Sequence, residues 1–192
     1  MLFTPDGLVD NMEGEIKIEN KFKGSVRPLM ATDIPHLRPI LESWLRFPTI
    51  TGELLTEEVR DTIEEIQKSL THENNKQFFV AQSSDGAVVG MMGIQPLSWV
   101  MRPFAQTVHP AEIINAYVHF EERQGKGVGR ALVKTIEDES KKQGFDELLL
   151  NSGPRYKETG WPFWQKTYGE PVGIIKNHYG PTRDAPVWRK VL

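Results

Sequence analysis

Gln124-Gly125-Lys126-Gly127-Val128-Gly129-Arg130 is the stretch from which the fold of this 192-residue chain can be read. Three glycines at alternate positions strip the Cβ atoms from one side of a turn, so a ligand can approach the backbone. Upstream, Ala111 to Phe120 reads as a strand. Downstream, Val128, Leu132, Val133 and Ile136 recur at helical spacing, and the helix runs to Lys142 with Gly144 as its C-cap. The amides that open such a helix have no internal partner, and its dipole favours an anion. Strand, glycine turn and helix N-terminus together predict a phosphate cradle.

The spacing narrows the choice of phosphate. A nucleotide P-loop requires G-x-x-x-x-G-K-[ST], but Gly129 is followed by Arg130 and Ala131. A dinucleotide turn, G-x-G-x-x-G, would need glycine at Arg130. The pattern that fits is Q/R-x-x-G-x-G/A.

Further out, the hydrophobic pattern orders the rest of the chain. Ser25 to Leu29 predicts a first strand. Thr32 or Asp33 then caps a helix with Ile34, Leu37, Leu41 and Trp44 on one face and Pro39 inside it. Residues 47–55, with Pro48 and Gly52, predict a loop. From Thr56, the stripe Val59, Ile63, Ile66, Leu70 predicts a second helix packed on a core. Strands are expected at 77–82 and 87–94 around the turn Ser84-Asp85-Gly86. Residues 97–110 are irregular, and their Trp99, Met101 and Phe104 suit either a substrate-side loop or a hydrophobic plug. Phe145 to Asn151 has the two-faced apolarity of a central strand. A short helix from Trp161 to Tyr168 and closing strands at 172–179 and 186–192 complete an α+β domain over residues 24–192. Residues 1–23 form a polar extension in which Ile16 and Ile18 could build an edge strand.

Composition limits the function. A net charge of −3 argues against nucleic acid, whose binders carry a basic excess. With no cysteine there is no disulfide, thiolate metal site or cysteine nucleophile. The five histidines form no H-x-x-x-H or H-E-x-x-H pair, so no metal is expected. No apolar run reaches the ~18 residues of a membrane span, and the N-terminus lacks a basic region followed by an apolar one. These points lead to the expectation of a cytoplasmic protein without membrane contact.

The glycine turn and the order of elements around it resemble the GNAT superfamily of acyl-CoA-dependent N-acyltransferases. Val26-Arg27-Pro28 with the helix at Thr32-Asp33-Ile34-Pro35, the hairpin Asp85-Gly86-x-Val88-Val89-Gly90, and Tyr117-Val118-His119 ahead of the turn carry the likeness over residues 25–192. It implies a mixed, mostly antiparallel sheet of six to seven strands with helices on both faces. The sheet would splay between the strand before the turn and the strand after its helix. It also implies transfer of acetyl from acetyl-CoA to a primary amine of a small molecule or peptide. Independently of the resemblance, exposed strand edges or the C-terminal segment would allow a homodimer. The alternative is a non-catalytic, regulatory acyl-CoA-binding domain. Two departures stand out: one extra residue between Val118 and Gln124, which suggests a bulged strand end, and a tryptophan, Trp164, at the usual tyrosine position of the last helix.

On this resemblance the pantetheine arm would pair with backbone near Val118 and Phe120. The pyrophosphate would lie on the amides from Gly125 through Lys126, Gly127, Val128 and Gly129 to Arg130, after Gln124. Lys126 and Arg130 would add charge there, or else only meet solvent. Asn151 would bond the arm or merely cap its strand. Forming an amide from a thioester needs a neutral amine, a donor for the oxyanion and a proton for the thiolate. Glu112 is the first candidate for the base, ahead of Glu121 and Glu122, and the Val118 amide for the oxyanion donor. For the acid, Tyr156 in Tyr156-Lys157-Glu158-Thr159-Gly160-Trp161 competes with Tyr168.

Overall fold

The computed structural model describes residues 22–123 and 125–192. Gln124 lies outside them, as does the expected extension with its candidate strand around Ile16 and Ile18, apart from Phe22 and Lys23.

In chain order the elements are β1 (Ser25–Pro28), α1 (Ile34–Trp44), β2 (Arg46–Phe47), β3 (Glu53–Leu54), α2 (Thr56–Leu70), β4 (Gln77–Gln82), β5 (Val88–Pro96), β6 (Pro110–Val118), α3 (Val128–Lys142), β7 (Glu147–Asn151), α4 (Gly160–Tyr168), β8 (Gly173–Ile175) and β9 (Ala185–Val191). Seven strands form one sheet in the order β1-β4-β5-β6-β7-β9-β8, and β2 and β3 form a separate two-stranded ribbon.

Every pairing in the sheet is antiparallel except that of β6 with β7. That parallel pairing is short: Pro110, Ala111 and Glu112 meet Glu147, Leu148 and Leu149, and no further pairs follow. Beyond Glu112, β6 runs on to Val118 beside β5 alone, while Leu150 and Asn151 of β7 pair with β9. The sheet therefore opens into a wedge, as the resemblance implied.

Side-chain alternation sorts the strands onto two cores. Phe79 and Ala81 of β4 join Leu132, Ile136 and Trp164 under α3 and α4, whereas Phe78 and Val80 join Leu37, Leu41, Ile63 and Ile66 under α1 and α2. Burying each large side chain contributes ~1.5–3 kcal/mol. Leu148 and Leu150 face the α3 side, and Leu149 faces a smaller cluster with Met101 and Val187. Residues 97–105 are thus largely a plug: Met101 is fully buried, while Trp99 stands in solvent at 87% exposure. The buried Glu147 carboxylate holds this segment by accepting from the amides of Gln106 (2.9 Å) and Thr107 (3.1 Å), with Arg189 at 3.4 Å.

Four expectations need correction. The 47–55 loop contributes to a ribbon, because Arg46 spans it by donating to the Glu42 and Gly52 carbonyls. The strand before the turn stops at Val118, and Phe120–Glu122 form a 3-10 turn that absorbs the extra residue. The bulge lies earlier, where the register shifts by one between Met91–Tyr117 and Gly93–Ile114 and Asn115 adopts φ 49°. The strand expected at 172–179 ends at Ile175, because Asn177 and Gly180 take positive φ in a turn closed by Asp184.

Candidate active site

The wedge holds a cleft of about 210 Å³, lined by Glu112, Asn115 and Tyr117 of β6, by Leu150 to Gly153 at the end of β7, and by Tyr156, Trp164 and Tyr179. It brings Glu112, Asn151 and Tyr156 together. Glu112 sits at the last β6–β7 pair and is 5% exposed. Its Oε2 accepts from Gln95 Nε2 (3.2 Å) and the Ser98 amide (3.1 Å). Glu121 and Glu122 lie in the 3-10 turn after β6, and Glu122 pairs with Lys126 at 2.9 Å.

Tyr156 closes a short 3-10 turn ahead of α4. It fits there because Gly160 starts the helix without a side chain; a Cβ at Gly160 would lie 3.2 Å from the Tyr156 Cβ. Its ring meets Trp44 (5.8 Å between centroids) and Tyr117 (6.4 Å), which are 6.1 Å apart. Burial raises the Tyr156 phenol, and the positive charge of Arg155 opposes that rise. Tyr117 is pushed up further, by burial and then by the neighbouring Tyr156.

Tyr168 is not in the cleft. It packs against Trp164, its hydroxyl is buried without a hydrogen-bond partner among the described residues, and burial together with the charge of Glu137 raises its pKa strongly. Trp161 and Trp188 meet edge to face within the core.

At the wide end of the wedge, the Val118 carbonyl accepts from the Trp44 indole at 2.8 Å. Val118 faces Gly90, and the next ladder bond runs from the His119 amide to the Val89 carbonyl (2.7 Å). The Val118 amide therefore turns away from β5 toward the wedge. Phe120 is 59% exposed and extends no ladder. Arg123 lies on its ring at 3.7 Å and 4.6 Å from that of Trp44.

The glycines divide their work. Gly125 and Gly127 hold φ of 80° and 82°, the left-handed region that side chains resist. A Cβ at Gly125 would meet nothing within 4 Å. Gly127 caps α3, whose first backbone bond is from the Ala131 amide to the Gly127 carbonyl (3.0 Å). The amides of Val128, Gly129 and Arg130 thus precede the helical ladder. Gly129, expected to leave room for a ligand, instead leaves room for α4, since a Cβ there would be 3.0 Å from the Phe163 ring. Arg130 is exposed on the first turn.

Asn151 is already engaged. Its Oδ1 accepts from the Tyr179 hydroxyl at 2.6 Å, and its Nδ2 lies 3.7 Å from the Met101 sulfur. Neither Tyr179 nor Trp44 was singled out for the site from sequence. Trp44 reads as an ordinary helix-face aromatic, and Tyr179 lies in a turn with no local signal. Among the described residues no cluster of three His, Asp or Glu could hold a metal ion, and no helix is long and apolar enough to cross a membrane.

Comparison with known proteins gives a consistent picture. The profile of the acetyltransferase (GNAT) family matches residues 38–173. A protein assigned to that family from Desulfovibrio desulfuricans superposes with a TM-score of 0.70 at 20% identity, covering 88% of this chain and 98% of its own. An aminoglycoside 6'-acetyltransferase type Ii superposes at 0.62 and 17% identity, covering 86% and 96%. A ribosomal-protein-alanine N-acetyltransferase from Brucella melitensis superposes at 0.61 and 22% identity, covering 87% and 99%. No curated protein sequence matches. At these identities the structural likeness speaks for the fold.

Proposed function

The chain belongs to the acetyltransferase (GNAT) family, and on that premise we propose that it transfers the acetyl group of acetyl-CoA to a primary amine of a small molecule or peptide by direct attack on the thioester. The observation that carries this is the wedge, which has a left-handed glycine turn beyond the end of β6 and Glu112 and Tyr156 in its cleft. The fit to CoA rests on two features. The open space at Gly125 and the unladdered amides from Val128 to Arg130 suit a pyrophosphate. The wedge-facing Val118 amide suits a polar, strand-like arm. Gly125 through Arg130, with Gln124, would hold the pyrophosphate, and Asn151 would meet the arm.

When bound, acetyl-CoA supplies an activated acyl group. The protein's task is to manage protons. A free alkylamine has a pKa of ~10.4, so it is almost wholly protonated at neutral pH. The buried aromatic cleft disfavours the ammonium form, and Glu112 takes the proton released as the C–N bond forms. The Val118 amide, turned away from β5, would serve as the donor to the oxyanion.

Tyr156 suits the acid role better than Tyr168. The adjacent Arg155 stabilises a Tyr156 phenolate, whereas Glu137 opposes a Tyr168 phenolate. A phenol in the cleft also favours catalysis over the non-catalytic alternative that Trp164 suggested.

The experiment is to mix the protein and acetyl-CoA with 2-phenylethylamine, spermidine, kanamycin or an alanine-initiated peptide, following free thiol and amide together. Stoichiometric thiol and amide from one of these amines is expected. Calorimetric CoA binding without turnover of any would favour the non-catalytic alternative.

A further inference from the structure

Tyr179 stands in the turn between β8 and β9, yet it lines the same cleft as Glu112 and Tyr156. Its ring packs over Gly153, where a Cβ would lie 3.4 Å away. The bond from its hydroxyl to Asn151 Oδ1 is short, 2.6 Å, and the far end of Asn151 sets its direction. There Nδ2 lies 3.7 Å from the Met101 thioether, which can accept a hydrogen bond but not donate one. The amide nitrogen therefore belongs on the sulfur side and the amide oxygen faces Tyr179. An amide oxygen cannot donate, so the phenol must. Its single proton is committed to Asn151, and what it can offer the cleft is lone pairs. Burial, then the neighbouring Tyr156, push the phenol up to about 12 against the opposing charge of Arg155, so it keeps that proton at ordinary pH.

We propose that Tyr179 is a specificity-determining residue that accepts the second N–H of the acceptor amine, so that the site selects primary amines with both hydrogens free. This rests on the transferase reading above. A neutral primary amine attacks with its nitrogen lone pair and carries two N–H bonds. One proton passes to Glu112 as the C–N bond forms; the C–S bond breaks and the thiolate takes the proton of Tyr156, which is restored from Glu112 through solvent. The other hydrogen stays on the amide product throughout, and it is the one Tyr179 holds. The two tyrosines thus differ in kind: Tyr156 gives a proton, and Tyr179, its own already spent on Asn151, accepts a bond. An N-methyl amine keeps the hydrogen for Glu112 but has none for Tyr179.

The test compares the panel amine that is turned over fastest with its N-methyl derivative, in the wild type and in Tyr179→Phe. The wild type should prefer the primary amine. Tyr179→Phe should lower kcat/KM for the primary amine about tenfold, the worth of one hydrogen bond. It should leave the N-methyl derivative nearly unchanged, and CoA affinity by calorimetry should stay within about twofold. If the phenylalanine variant melts early, Tyr179→Met removes the same oxygen while filling the space flexibly. Equal losses for both amines, or no loss for either, overturn the proposal while leaving the transferase reading intact. A wild type that turns over no amine overturns that reading, and this assignment with it.

Discussion

Arg155 grips Glu58 through both terminal guanidinium nitrogens, at 3.0 and 2.9 Å, and so holds its charge 5.4 Å from the centre of the Tyr156 ring. The pair ties α2 to the turn ahead of α4 and sets a phenolate-stabilising cation beside Tyr156. Arg155→Met keeps the stem and removes the charge. If Tyr156 is the acid, kcat should fall about tenfold, a modest part of what acid–base catalysis contributes. The sign of the pH effect follows. Arg155 lowers the Tyr156 pKa, so its loss raises it, and the alkaline limb of the rate profile should move to higher pH. A profile that keeps its shape would release Tyr156 from the role.

Glu112→Gln keeps one carbonyl oxygen for the Ser98 amide and loses the base. We expect kcat to drop about 100-fold or more, with calorimetric CoA affinity within twofold. Normal turnover would remove Glu112 from the mechanism. A large loss of CoA affinity would show that its bonds to Gln95 and Ser98 matter more than its basicity.

Gly127 is the left-handed cap of α3. A side chain there costs roughly 1–2 kcal/mol in backbone strain, and Gly127→Glu adds negative charge where an anion should sit. CoA binding should vanish from the calorimeter while circular dichroism stays that of a folded protein. Retained binding would move the pyrophosphate away from this turn.

Asp33 is 3% exposed, takes two bonds from Arg27 (2.7 and 2.9 Å), and accepts from the Met30 amide at 2.8 Å. The Arg27 bonds hold its pKa below the usual carboxylate range. Its stabilisation is therefore complete above the unfolded value of ~3.9 and fades as pH falls through the lower folded value. Asp33→Asn should cost about 2 kcal/mol at neutral pH, less as the solution is acidified below pH ~4. Urea titrations at pH 7 and pH 3 measure both figures, and an equal cost at the two pH values would refute the linkage.

What could be read ahead of the structure was local. The glycine turn, the α2 stripe and the triple leucine of β7 each follow from spacing within a few residues, because helix period, strand alternation and the left-handed preference of glycine are short-range effects. The contacts that finish the cleft are not. Trp44 reaches the Val118 carbonyl from 74 positions away, and Tyr179 reaches Asn151 from 28. Each depends on where the chain returns to the sheet. Gly129 shows the same limit from the other side: its place in the glycine series was visible, but the Phe163 ring that requires it was not. Sequence leaves Tyr156 and Tyr168 level as candidates for the acid; the fold separates them, because Tyr156 lines the cleft while Tyr168 packs against Trp164 away from it.

The three-residue pairing of β6 with β7 also bears on cooperativity. It divides the sheet into two panels, β1-β4-β5-β6 and β7-β9-β8, stitched along one short seam. Deuterium uptake should divide at that seam, each panel exchanging as its own unit. A molecule lodged between the panels would act as a spline, and slower exchange at Val118 and beyond Leu149 would record its seating.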